Sequence, residues 1–229
     1  MSLAFLSPSP DGLARSPMER QARAAGASFE QRDGWSVAVR FDGLEAERER
    51  TRSAVGFADL SHLGKVELQG APAAEFELGR ATRTEGAWWC PYSRRRVLAL
   101  CEPGDLPALR ERLGQIAADQ HGLTSVVDVT TAFAALALEG PLAREVFARF
   151  TALDLRDRVT PVHAFRPGSV ARTPGAVLRQ SEERWLMLFG AALGQYMWTV
   201  VADAAETLGG GPVGVDALTP AEREVAPRA

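Results

Sequence analysis

The sequence predicts an α+β fold assembled from two similar halves, and three observations carry that expectation. The first is a repeated order of elements. Residues 66–76 read as an alternating strand, a break at Gly70-Ala71-Pro72, and the start of an amphipathic helix; residues 136–147 repeat that order with the break at Gly140-Pro141. The second is that each copy is followed by a further strand and helix: 96–100 before 105–121, and 184–188 before 191–208. The third is that 125–138 and 176–189 each place two strands nearly back to back, which favours split βαβ units over a doubly wound parallel sheet. Two long copies are too few for a solenoid. The expected architecture is therefore two duplicated ferredoxin-like, split βαβ halves packed together, spanning about 57–122 and 125–218, with any ligand site where they meet.

Taken in order, residues 1–15 are rich in Ser, Pro and Gly and read as a flexible arm. Ser16-Pro17-Met18-Glu19 is a helix start, with Ser16 as cap, Pro17 at the first helical position and Glu19 closing a capping box. Residues 28–40 alternate as one half-buried strand, with Trp35, Val37 and Val39 on one side. Residues 44–55 form a charged helix, stopped by Gly56. Residues 57–70 hold two short strands and 72–78 the first crossover helix. The stretch 81–91 reads as irregular. Its neighbours Trp88 and Trp89 should face opposite ways, one inward and the other toward a surface or partner. Residues 105–120 form a helix with Leu106, Leu109, Leu113, Ile116 and Ala117 on one face. Residues 125–129 and 134–138 are strands, 141–150 the second crossover helix, and 151–168 a connection with little regular structure. Short strands at 169–172 and 176–180 are separated by Pro174-Gly175; 185–189 is a strand, 192–208 a helix, 214–218 a short strand or turn, and 219–229 a frayed tail.

A chain of 229 residues with 46% hydrophobic residues is long enough to bury a proper core. A net charge of −3 lacks the basic excess of a nucleic-acid binder. Lys65 is the only lysine, and this bias with abundant Ala reads as codon usage rather than phosphate binding. Cys90 and Cys101 are too far apart for a CxxC redox or zinc pair, and no short-spaced ligand set for a metal is present. Buried thiols are expected, with a disulfide between them left open. No signal peptide is legible at the start, and no apolar stretch approaches the roughly 20 residues that span a bilayer. A cytoplasmic protein with neither nucleic-acid nor membrane partners is the expectation.

The run Arg52-Ser53-Ala54-Val55-Gly56-Phe57-Ala58-Asp59-Leu60-Ser61-His62-Leu63-Gly64 resembles the glycine cleavage system T-protein family, the folate-binding aminomethyltransferases. Gly34-Trp35, the stretch from Val127-Asp128-Val129 to Gly140-Pro141, and Gly211-Pro212-Val213-Gly214 resemble further family segments in the same order. The resemblance implies a T-protein-like folate-binding domain over 16–218, holding tetrahydrofolate in a central channel. It also implies transfer of a one-carbon unit from an amine to the folate, and a lipoyl carrier protein as partner. Two departures weigh against turnover. The segment 86–96, where the family carries an acidic pair, has no carboxylate and ends in three arginines; neighbouring cations disfavour a cationic iminium. The family's folate-gripping segment matches Arg179-Gln180-Ser181-Glu182-Glu183-Arg184-Trp185 only loosely. With no C-terminal barrel expected, the chain also resembles the gamma subunit of heterotetrameric sarcosine oxidase. That implies flavoprotein oxidase subunits as partners, with flavin held only by those partners.

The candidate folate residues are accordingly Trp88, Tyr92, Arg179 and Glu183; no catalytic residue is assigned and no metal is expected. Aromatic core packing is an equal reading for Trp88, Trp89 and Tyr92. Asp59 and Asp128 precede a Ser or Thr at matching places in the two halves, and turn stabilisation is preferred for both. His62 reads as a structural residue at a strand turn, His121 as a helix C-terminal cap, and His163 as a lone loop histidine. Gly209-Gly210-Gly211 follows a helix rather than opening one, so it lacks the geometry of a phosphate loop.

Overall fold

The computed structural model describes residues 12–119 and 123–218. β1 (Ala14–Arg15), α1 (Glu19–Ala24), β2 (Ser28–Arg32) and β3 (Trp35–Arg40) come first, and α2 (Leu44–Ser53) leads into β4 (Gly56–Asp59). Next are β5 (Gly64–Gln69), a 3-10 turn at Ala71–Glu75, β6 (Thr82–Thr84), β7 (Ala87–Ser93), β8 (Arg96–Cys101), α3 (Leu106–Ala118) and β9 (Ser125–Asp128). The remainder is β10 (Phe133–Glu139), α4 (Ala143–Ala148), β11 (Phe165–Val170), β12 (Thr173–Arg179), β13 (Arg184–Gly190), α5 (Gly194–Glu206) and β14 (Gly211–Pro212).

The duplication is visible in the strand orders. One open sheet runs β6-β7-β8-β5-β9 and the other β11-β12-β13-β10-β4-β14, with a small third sheet β1-β3-β2. The cores of the two large sheets correspond strand for strand, and β9 and β4 occupy the same place, antiparallel to β5 and β10 respectively. Their chain positions correspond too. β4 precedes β5 and β9 precedes β10, and each is lent to the other half's sheet, so the halves are interlocked. The two junctions are built alike. Asp59 Oδ1 accepts the Ser61 N–H at 2.9 Å and Asp128 Oδ1 accepts the Thr130 N–H at 3.0 Å. Ser61 Oγ accepts from Ala135 N, and Thr130 Oγ1 accepts from Lys65 N. Both aspartates thus close the turns that pass the chain from one sheet to the other.

Alternation along the strands makes four layers. Leu136 and Leu138 face α1, α4 and α5, while Ala135 and Ala137 face the other sheet. Leu98 and Leu100 share that middle layer, and Val97 and Ala99 face α3. The sheets are also stitched at one edge, where Ala81 N donates to His163 O and Phe165 N to Gly79 O. Lys65 is fully buried, and its ammonium donates to the carbonyls of Ser61 (2.9 Å), Leu63 (2.8 Å) and Thr130 (3.3 Å), pinning the two junctions together. Cys90 and Cys101 are free and buried. No described helix is long and apolar enough to cross a membrane.

Several local expectations are corrected. Residues 28–40 are a hairpin rather than one strand, turning at Asp33 (φ 46°) and Gly34 (φ 78°), an Asp-Gly pair that suits a type I′ turn. Ala14–Arg15, within the expected arm, pairs in parallel with Trp35 and Ser36; residues 1–11 of the arm, His121 and the expected tail at 219–229 lie outside the described residues. The first helix begins at Glu19 without a side-chain cap, and the Glu19 carboxylate is taken by Arg15 and Arg23. Gly56 does not stop α2 but opens β4, where a Cβ would stand 2.6 Å from Thr51 Cγ2. The first crossover is a 3-10 turn. The stretch 81–91 is largely strand, because Trp89 stacks on Phe76 (5.1 Å) in the α3 layer while Trp88 enters the middle layer. Both indoles are therefore buried. Pro174-Gly175 lies inside β12, and Pro174 precedes the start of pairing with β13, so its missing N–H is not needed there.

Candidate functional site

At one end of the middle layer the two sheets part and leave a cleft of about 590 Å³. Its floor and walls are apolar: Leu60 and Leu63 from the β4–β5 junction, Leu100 from β8, Leu186 from β13 and Leu218 from the C-terminal segment. Trp88, at the start of β7, supplies an aromatic wall, with its ring 5.2 Å from His163 and the Arg83 guanidinium 5.7 Å above it. The rim is polar. Arg32, Arg48, Arg83 and Arg184 line it together with the carboxylates Asp33, Glu102 and Asp216.

Each rim group is set by its element. Arg32 ends β2 and grips Asp216 with both guanidinium nitrogens, at 2.7 and 3.2 Å, which raises its proton affinity further. That contact ties the β2–β3 hairpin to the C-terminal segment across the mouth. The segment is anchored behind the mouth by Glu47 of α2. This fully buried carboxylate accepts N–H groups from Phe41 (2.7 Å), Gly43 (3.0 Å) and Gly214 (2.6 Å). Only glycine fits at 214, because a Cβ there would stand 1.9 Å from the Val39 carbonyl oxygen. Arg184 opens β13 and pairs with Glu139 across the sheet at 3.4 Å; burial lowers its proton affinity, opposed by Glu139 and Glu102. The Glu102 carboxyl is raised by loss of solvent on its cleft side, although much of the residue is open to water; Arg184 and Arg83 oppose the shift. His62 also lines the cleft, and burial, with Lys65 and Arg32 adding to it, lowers its pKa to about 4. Its imidazole is neutral near pH 7. Burial likewise lowers the Lys65 ammonium to about 8 and pushes the Cys101 thiol up to about 12.

The four residues singled out from the sequence are not brought together. Trp88 lines the cleft. Tyr92 lies further along the middle layer, edge-on to Phe165 at 5.0 Å with the Arg96 guanidinium 5.2 Å from its ring. Arg179 is buried, bonded to Asp157 (2.6 Å) and to the Thr160 carbonyl (2.9 Å), with its guanidinium 4.9 Å from the Trp185 ring. Glu183 is exposed in the β12–β13 turn, where its carbonyl accepts from Gly140 N. The sequence reading missed Arg32, Arg83, Glu102, Arg184 and Asp216. Segment 86–96 has no carboxylate, but three reach the cleft from elsewhere. A usable signal existed for Asp216, which follows directly on the Gly211–Gly214 motif. No cluster of metal-ligating side chains occurs among the described residues.

Residues 18–82 match the family profile described as the GCVT N-terminal domain. A probable aminomethyltransferase of Halobacterium salinarum is 31% identical over 163 residues, covering 60% of this chain and 45% of its own. The aminomethyltransferase of Desulforamulus reducens is 28% identical over 227 residues, 90% of this chain and 62% of its own. This chain is similar in sequence to aminomethyltransferases over part of their length. It spans less than half the length of the first curated relatives it matches. Among solved structures, the aminomethyltransferase T of Bartonella henselae superposes with a TM-score of 0.75 at 17% identity, over 90% of this chain and 60% of that one. A chain of heterotetrameric sarcosine oxidase from Corynebacterium sp. U-96 superposes with a TM-score of 0.65 at 23% identity, over 88% of this chain and 99% of that one. The α+β fold read from the repeat, and the T-protein-like architecture that the resemblance implied, are thus borne out, with open sheets.

Proposed function

We propose that the cleft between the two sheets is a folate site, and that the protein is an aminomethyltransferase-like, folate-binding protein of one-carbon metabolism with a degenerate catalytic site. The observation that carries this reading is the donor set: an indole and an apolar floor for a flat ring system, and four arginines on the rim for the carboxylates of its tail. Tetrahydrofolate, when bound, supplies the nitrogen that accepts the one-carbon unit. Trp88 packs against the ring, and Arg184, oriented by Glu139, anchors an anionic group. Of the sequence candidates only Trp88 enters this reading. The carboxylates argue for binding over turnover, since Asp216 is engaged by Arg32 and Glu102 is set among arginines. A lipoyl carrier protein is the partner this reading calls for, and free buried thiols suit a reducing cytoplasm. Titration calorimetry with tetrahydrofolate tests the reading. Binding is expected in the wild type, weakened at least about tenfold by Trp88→Ala and by Arg184→Met, each removing a buried contact. An absence of heat with ligand in large excess overturns it.

A second reading is a non-catalytic assembly subunit of a sarcosine oxidase-like flavoenzyme, favoured by the superposition on nearly the whole of one chain of such a heterotetramer. Co-expression with flavoprotein oxidase subunits encoded by adjacent genes would yield a stable complex. A chain recovered free of them counts against it.

A further inference from the structure

We propose that the outer edge of β9 is a self-association site, at which two copies of this chain pair β9 with β9 antiparallel about a two-fold axis. The internal duplication draws attention to this edge. β4 and β9 hold the same place in their sheets, but β4 is covered on its outer side by β14, where Gly211 N donates to Val55 O and Val213 N to Phe57 O. β9 ends its sheet. Because Val129 N donates to Lys65 O, alternation turns Val127 toward β5 and leaves the N–H and C=O of Val126 directed outward. An edge of this kind is a template for a further strand.

Three features fit a second copy as that strand. The first is register. With Val126 opposite Val126 of the partner copy, the outward-facing groups of one edge meet those of the other, and Ser125 lies opposite Val127. The second is apolar exposure. Leu123 (89% exposed) and Val127 (43%) share one face of the strand, and the two-fold makes them diagonal neighbours across the new pair. The third is the groove on the opposite face, between β9 and the flank of α3 formed by Pro107, Arg110, Glu111 and Gly114. Gly114 is a helix-interior glycine, an unfavourable choice, and no atom lies within 4 Å of where its Cβ would stand. Arg110 pairs with Asp128 of β9 at 3.2 Å, which ties the α3 flank of the groove to the strand.

Sedimentation over a concentration series, with the full chain, tests the proposal. A reversible dimer is expected. Val126→Pro removes an N–H that points away from β5, so the fold keeps its ladder while two symmetry-related intermolecular bonds are lost. Gly114→Arg fills the groove and raises helix propensity. Each variant is expected to weaken the dimer at least about tenfold, Gly114→Arg with an unchanged or higher melting temperature and Val126→Pro at some cost from the lost packing of Val126 on the α3 layer. Hydrogen exchange of the Val126 amide is expected to slow as the dimer fraction rises. A chain that is monomeric throughout overturns the proposal and leaves the edge to a different protein; so does a dimer that both variants leave intact.

Discussion

Replacing Glu47 by Ala is expected to destabilise the protein by about 3–5 kcal/mol. The estimate follows from what the carboxylate holds. Its two oxygens accept three backbone N–H groups, from Phe41, Gly43 and Gly214. A buried donor stripped of its acceptor costs about 1–3 kcal/mol. The Gly214 amide is buried, at a point where the chain passes against the Val39 carbonyl, so it sits at the upper end of that range. Phe41 and Gly43 are only half-buried and can recruit water, so about 1 kcal/mol each is reasonable. Equilibrium urea unfolding measures the change directly, and in a chain of 229 residues it corresponds to a fall in Tm of about 10 °C. Glu47→Gln keeps one acceptor oxygen and is expected to recover part of the loss. A cost below about 1 kcal/mol for Glu47→Ala would refute the argument, since the C-terminal segment would then be held by its other contacts, Arg50 to the Pro212 carbonyl and Arg32 to Asp216.

Three further outcomes are expected. His62 titrates at about 4 in the folded protein against 6.5 for the free side chain. Between those pH values the unfolded chain takes up a proton that the folded chain refuses, so stability rises with pH across the window and is lost below it. The difference corresponds to at most about 3 kcal/mol, reduced by the open edge of the ring; His62→Gln should flatten urea-unfolding free energies measured from pH 4 to pH 6.5, and an unchanged slope would exclude His62 as the source. Gly140 has φ +134°, and an added Cβ would stand 2.5 Å from the Ala54 carbonyl oxygen, so Gly140→Ala is expected to cost about 3 kcal/mol or more, read as a fall in thermal midpoint. Asp59 has its proton affinity raised by burial. Its contribution is therefore greatest at low pH and declines as pH rises past 3.8, and Asp59→Asn, which keeps the acceptor for Ser61 N, should be less sensitive to pH above that value in the same assay.

Much of the fold was legible because it rests on local periodicity. The continuous apolar runs of Val97 to Cys101 and of Trp185 to Phe189 reflect burial on both faces, and α3 carries its Leu109 and Leu113 stripe openly. The Asp33-Gly34 turn reads through as part of one strand, because the alternation on either side of it masks the break, although those residue types suit the positive φ angles found there. The stretch 81–91 was not legible, because Pro91 and the paired tryptophans obscure the strand pattern, and one strand that makes it a sheet segment, β8 with Ala87 opposite Cys101, lies outside the stretch. The site divides the same way. Trp88 could be named because an indole beside a strand start is conspicuous. Arg32 and Asp216 could not be paired, since 184 residues separate them.

What this sequence determined unaided is the repeat: two runs of strand, break and helix, with an Asp-x-Ser and an Asp-x-Thr turn at matching places, written in residue types whose local preferences agree with the fold. The tertiary structure alone decided that β4 and β9 each cross into the other half's sheet, and that β14 covers the outer edge of β4 while no described strand covers that of β9. It also decided that a cleft left where the sheets part is ringed by four arginines from four separate segments rather than by the segment that carries the motif. The physical reason is that sheet pairing joins strands by their backbone edges, which all residues share, so the partner of an edge is chosen by packing across the whole molecule and not by the residues beside it in sequence.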